Sequence, residues 1–209
     1  MRALLLLLSL ALVACPGEDP VGPPVVDPTP DPGIQGFGAS VKATLKVKRW
    51  RQISRDLESA LSLPPEAVCN EAGVYPCSDL HAVPLGGASI DNGLFRPVDT
   101  LSVTSGLAFE RFVLSACWER LRRDTSPEED GDAPLVFTID ADGNTLDPAD
   151  AEAQVTTLYR KLLARDPLPE EIDAVASMHA GILEDEGLNG DWAAMACFAV
   201  GTTTEGLMY

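Results

Sequence analysis

Between Pro16 and Gly36 the chain reads PGEDPVGPPVVDPTPDPGIQG, with seven prolines and no periodic apolar face. Proline fixes φ and removes an amide donor, so this run can join neither a helix interior nor a central strand. Such segments extend as polyproline II at about 3.1 Å per residue, which gives this one a reach of roughly 60 Å. The run reads as a tether, and a packed core has to come from residues 37–209.

Ahead of the tether, Met1-Arg2 is followed by an apolar run from Ala3 to Val13, which Cys15-Pro16-Gly17 breaks. A membrane span needs about 20 apolar residues, so the run is too short to cross a bilayer. One Arg, a short apolar stretch and small residues before a cleavage point are the secretory layout. Leu12-Val13-Ala14-Cys15 resembles the lipobox of bacterial lipoproteins. That resemblance implies a signal peptide over residues 1–14 and a palmitate-bearing lipid on Cys15 at the head of the linker 15–36. It also implies a location on the bacterial envelope, at the outer membrane or cell surface. More than one acyl chain would make the anchoring stable.

Charge narrows the partners. Thirty-two acidic residues against 15 basic ones give a net charge of −17, which repels a phosphate backbone, so no nucleic acid partner is expected. Cationic surfaces suit the chain better. Of five cysteines, Cys15 goes to lipid, and the remaining even number in an oxidising compartment favours disulfides over metal or redox chemistry. Cys69 and Cys77 close a short loop and are expected to be bonded. Cys117 and Cys197 fall in two strongly apolar helices, where a bond and two inert thiols both fit.

The periodicity predicts a mainly α domain with one small β-hairpin. Trp50, Ile53, Leu57 and Leu61 recur at helical spacing within 41–63, and Pro64-Pro65 ends that helix. Its basic residues include Lys48, Arg51 and Arg55, either a solvated face or a docking surface for anionic groups. Residues 64–100 read as an irregular excursion. The helix at 105–122, with Thr104 as N-cap, is apolar on nearly every side and is expected to be the central buried one. The segment DTSPEEDGDAP at 124–134 is a candidate subdomain joint. Residues 136–139 and 145–146 around Asp142-Gly143 read as the hairpin. Asp147-Pro148 and Pro169-Glu170-Glu171 open two further helices, and a last one begins after Asn189 or Asp191.

Motifs for chemistry are sparse. Asp140, Asp142 and Asn144 match the first odd positions of a calcium loop, but Thr145 stands where that loop needs Gly and Ala151 where it needs Glu, so a turn is the better reading. Cys77 and His81 lack the two-cysteine spacing of haem attachment. A zinc site from Cys69, Cys77 and His81 has no fourth ligand visible in the sequence and competes with oxidation. With two histidines and no nucleophile signature, neither a cofactor, a metal nor a catalytic residue is expected.

Four segments look like a family of envelope proteins of planctomycetes and myxobacteria, whose domains of unknown function are often joined to a c-type cytochrome domain. They are Gln52-Ile53-Ser54-Arg55-Asp56-Leu57; Ile90-Asp91-Asn92 with Leu101-Ser102-Val103-Thr104 and Glu110-Arg111-Phe112; Leu158 to Leu163 with Arg165-Asp166-Pro167 and Pro169-Glu170-Glu171; and Thr202 to Tyr209. The resemblance implies a fold and a compartment. The resulting expectation is a tethered binding or assembly component of an envelope complex, held to the membrane by its lipid and working with an envelope protein. Asp91, Asn92 and Arg96 join Lys48, Arg51 and Arg55 as contact candidates. The rival is a carboxylate-dependent enzyme acting on extracellular polymers, as glycosidases do. A concave, carboxylate-lined pocket would favour the rival, and a flat or apolar exposed patch would favour assembly.

Overall fold

Proline and left-handed residues set the helix ends. The computed structural model describes residues 46–71, 73–88, 93, 102–126 and 134–208, all within the unit Thr44–Tyr209. Cys15, Asp91, Asn92, Arg96 and the tether lie outside the described residues. Among the described residues no helix is long and apolar enough to cross a membrane.

Helix α1 is Trp50–Leu61, with Ile53, Leu57 and Leu61 buried one turn apart. It starts later than the expected 41–63, because the chain before it has another partner. Val47 bridges Met208, and Lys48 N–H donates to the Leu207 carbonyl at 2.8 Å. Ser62, at φ 51°, ends the helix just ahead of Pro64. The strands β1 (Asn70–Glu71) and β2 (Tyr75–Pro76) pair antiparallel, Asn70 with Pro76 and Glu71 with Tyr75. Gly73 turns the hairpin at φ +68°, a region open to glycine without cost. A short helix α2, Cys77–Leu80, follows directly.

The hairpin of this mainly α fold is therefore at 70–76 and not at 136–146. The Asp140–Gly143 turn does form, with Gly143 N–H donating to the Asp140 carbonyl at 3.3 Å, but its flanks take partners other than each other. On the first flank, the carboxylate of Asp124 accepts from the backbone N–H of Leu135, Val136 and Phe137 at 2.8, 3.1 and 2.8 Å. Gln154 Nε2 donates to the Val136 carbonyl at 3.0 Å. On the second, Asn189 N–H donates to the Gly143 carbonyl and Gly190 N–H to that of Ala141. A helix leaves its first amides unsatisfied, and here the loop carbonyls satisfy them. Side chains and a helix end thus supply the bonds a second strand would have made.

Among the described residues four longer helices follow, α3 (Val103–Thr125), α4 (Pro148–Leu163), α5 (Pro169–Glu184) and α6 (Asn189–Gly201), and then the single turn α7 (Thr204–Leu207). Ser102, and not Thr104, caps α3, and its N–H donates to the Ser105 hydroxyl oxygen at 3.0 Å. Asp147 caps α4 by accepting from Ala149 N–H, with Pro148 in the first turn, as expected.

The central helix is α6, which packs against α3, α4 and α5. Trp192, Ala193, Ala194, Ala196 and Cys197 are fully buried in it. Helix α3 instead keeps an outward face, on which Leu107 is 56% and Trp118 42% exposed. The alanines of α6 explain the reversal, since small residues on successive faces let three helices approach one axis. At its end Gly201 faces Val113 so closely that a Cβ would stand 2.6 Å from Val113 Cγ1. One turn earlier, Cys197 is bonded to Cys117, with Cα atoms 5.8 Å apart. A single apolar core draws residues from both sides of the 124–134 joint.

Candidate functional site

The outward face of α3 forms the floor of a cavity with a volume of about 770 Å³. Trp118, Leu121 and Leu188 give it an apolar base. One wall is the stretch from Glu66 to Gly73, another the Ala141-Asp142 turn, and the far end is the start of α6. The volume lies within the usual range of ligand pockets, which combine an apolar lining with few polar groups.

Its rim is acidic. Among the described residues, Glu66, Glu119, Asp142 and Asp191 line the cavity against one cation, Arg122. Glu119 is engaged by Arg122 through two bonds of 3.1 Å and by Arg123 Nε at 2.7 Å. Burial pushes the Glu119 carboxyl up, but the hydrogen bonds from Arg122 and Arg123 outweigh it and hold the group below the usual carboxylate range. Asp191 accepts from Leu188 N–H at 2.8 Å and so closes the first turn of α6.

A second constellation lies at the hairpin. Arg111 Nε and Nη2 donate to the two carboxylate oxygens of Glu71 at 2.7 Å each. His81 Nε2 contacts the same Glu71 Oε1. The bond from Arg111 lowers the Glu71 pKa most, burial opposes it, and contact with His81 lowers it further. Cys77 Sγ, His81 and Glu71 present ligand atoms within 4.8 Å of one another, and Cys77 is bonded to Cys69.

The candidates read from the sequence do not form one site. Lys48 pairs with Asp56 at 2.8 Å, and Arg51 lies over the Trp50 ring at 5.3 Å from its centroid. Arg55 is exposed on α1. Both cysteine pairs, Cys69 with Cys77 and Cys117 with Cys197, stand at disulfide distance. His179 Nε2 meets the Asn189 side-chain oxygen at 2.8 Å, a structural contact that orients the Asn189 amide toward the Asp140 and Thr145 carbonyls.

Trp118 was legible as an outward residue. The buried positions of α3 follow Phe109, Phe112, Val113, Ala116, Leu121 and Asp124, whereas Trp118 lies seven residues after Arg111 and four before Arg122, on the charged face. Counting apolar residues without plotting their angles hides it.

Comparison with known protein families, curated proteins and solved structures finds no match for this chain. The site's own geometry therefore carries the functional argument.

Proposed function

We propose that this chain is a lipoprotein of the bacterial envelope or cell surface, acting as a tethered binding and assembly component whose Trp118 groove takes a cationic, amphipathic segment of a partner protein. The observation that carries this reading is Trp118 itself, a large aromatic left 42% exposed at the base of a concave, acid-rimmed cavity. Aromatic anchors in a pocket dominate protein recognition, and an indole face also attracts a Lys or Arg head group. Among the described lining residues four carboxylates stand against one guanidinium, which favours the same positive partner, as does the net charge of −17. The lipobox-like residues and the proline-rich run support the tether, which raises local concentration at the membrane.

The concave, acid-rimmed shape is also what the rival enzyme reading calls for, but two of its carboxylates are already engaged. A general acid needs a carboxyl whose pKa is raised toward neutrality, and Glu119 is held low. Asp191 is occupied at the start of α6.

Two experiments test the reading. A synthetic peptide of alternating Lys and Leu, titrated into the full chain, is expected to change tryptophan fluorescence saturably and in a salt-sensitive way, while a Glu-Leu peptide does not. Trp118→Ala should weaken that binding at least roughly tenfold, the scale of a hot-spot anchor. Equal binding by Trp118→Ala, or saccharide cleavage lost on changing one groove carboxylate to its amide, would overturn the proposal. For the anchor, Cys15→Ser is expected to move the protein from the membrane to the aqueous fraction, and retention in the membrane would count against lipidation.

A further inference from the structure

Zinc binding through Cys69, Cys77 and His81 lacks one ligand in the sequence, and the fold supplies it. Glu71 sits on β1, two residues beyond Cys69, and its Oε1 contacts His81 Nε2. Cys77 and His81 bracket α2, one helical turn apart, with His81 N–H closing that turn on the Cys77 carbonyl. Cys77 Sγ, the His81 ring nitrogen and a Glu71 oxygen all lie within 4.8 Å of one another, and Cys69 Sγ is bonded to Cys77. Three donors therefore cluster and the bond to Cys77 brings Cys69 beside them, so one loop gathers two sulfurs, one imidazole and one carboxylate, the kinds of donor zinc takes.

We propose that reduction of the Cys69–Cys77 disulfide turns this loop into a closed, four-ligand zinc site formed by Cys69, Glu71, Cys77 and His81. Bond lengths of about 2.0–2.3 Å in tetrahedral zinc put neighbouring ligands about 3.3–3.8 Å apart. Opening the S–S bond and rotating the His81 ring away from Glu71 Oε1 are the two movements that reach that spacing. Cys69 and Cys77 are buried, and the His81 and Glu71 side chains are only 12% and 17% exposed, as suits a structural metal that excludes water. Arg111 keeps its role. With Oε1 on the metal, Glu71 Oε2 remains bonded to Arg111 Nη2, a partner that orients a ligating carboxylate from behind.

The chemistry balances. A dithiol donor gives two electrons and two protons to the disulfide and leaves as its own cyclic disulfide, freeing the Cys69 and Cys77 thiols. Zinc binding then displaces both thiol protons to solvent. In reverse, hydrogen peroxide takes two electrons from the zinc-bound thiolates, the S–S bond reforms, and one Zn²⁺ and two hydroxides are released. The loop is thus closed by either of two chemistries, one for oxidising and one for reducing conditions with available zinc.

Cobalt(II) is the probe. The full chain, reduced with a phosphine, is expected to bind one cobalt per chain with the intense visible bands of a tetrahedral ion and thiolate-to-metal charge transfer, and zinc should displace it. The oxidised protein should show neither. Glu71→Gln and His81→Ala, whose disulfides and helicity are checked in the oxidised form, should each weaken binding by at least roughly tenfold after reduction. If His81→Ala does not fold, Glu71→Gln carries the test alone. No cobalt spectrum from the reduced wild type, or the same spectrum and affinity in the folded variants, would overturn the site and move any metal to Cys117 and Cys197.

Discussion

Arg165 meets the carboxylate of Glu171 through two parallel N–H···O bonds of 2.7 Å, so that the residue just beyond α4 clamps the first turn of α5. The guanidinium also donates to Glu205 on α7 at 2.8 Å and lies over the Tyr159 ring at 5.0 Å from its centroid. In this chain those residues hold three helices together.

The clamp predicts an acid-sensitive stability. The Arg165 bonds and the Leu168 N–H lower the Glu171 pKa from 4.5 to about 2. A carboxyl depressed in the folded state contributes stability above its unfolded pKa and loses it as pH falls through the folded one. The gap in urea midpoint between wild type and Glu171→Gln should therefore be constant above pH 4.5 and close toward pH 2. Because both partners are partly exposed, added salt should narrow it too. A gap that persists unchanged to pH 2 would show that the pair contributes nothing through charge.

Asp124 should be among the most sensitive single positions. Its side chain is fully buried, pairs with Arg120 at 2.7 Å and accepts three backbone amides. Breaking one member of a buried pair costs about 3–5 kcal/mol, because the other charge stays buried. Asp124→Asn is expected to lose that much by denaturant unfolding, and Asp124→Leu to lose more, because it leaves the three amides without an acceptor. A loss under about 1 kcal/mol for Asp124→Asn would place Arg120 in contact with water.

The two disulfides should differ in weight. Loop entropy gives about 4.5 kcal/mol for Cys117–Cys197, which spans 80 residues, and about 2.5 for Cys69–Cys77, which spans 8. Thermal unfolding of Cys117→Ala/Cys197→Ala and Cys69→Ser/Cys77→Ser should rank in that order. The reverse ranking would mean that native packing, not chain entropy, governs the long bridge.

Gly201→Ala tests the α3–α6 contact because two effects oppose each other. Helix propensity favours alanine by up to about 1 kcal/mol, but its Cβ would stand 2.6 Å from Val113 Cγ1. Overpacking of a tight core costs about 1–3 kcal/mol, so net destabilisation is expected. Val113→Ala in the same chain should recover part of it. A stabilised Gly201→Ala would show that the helices can separate freely.

Local rules determined a good part of this protein. Pro64, Asp147-Pro148 and Pro169 mark helix ends through backbone geometry alone, and the mainly α class follows from apolar residues at spacings of three and four. The nearness of Cys69 to Cys77 was also legible, since a short loop leaves little room for another outcome. What sequence spacing could not decide was competition between distant partners. Residues 136–146 carry a sound hairpin pattern, yet the carboxylate of Asp124 and the N-terminal amides of α6 claim their backbone first. Helix α3 looked more buried than α6 because it has the larger apolar side chains, but a central position goes to the helix whose alanines allow three neighbours to close in. The cavity over Trp118 arises only because segments far apart in the chain share one surface, whereas Glu71 meets Cys77 and His81 locally, through the 70–76 hairpin.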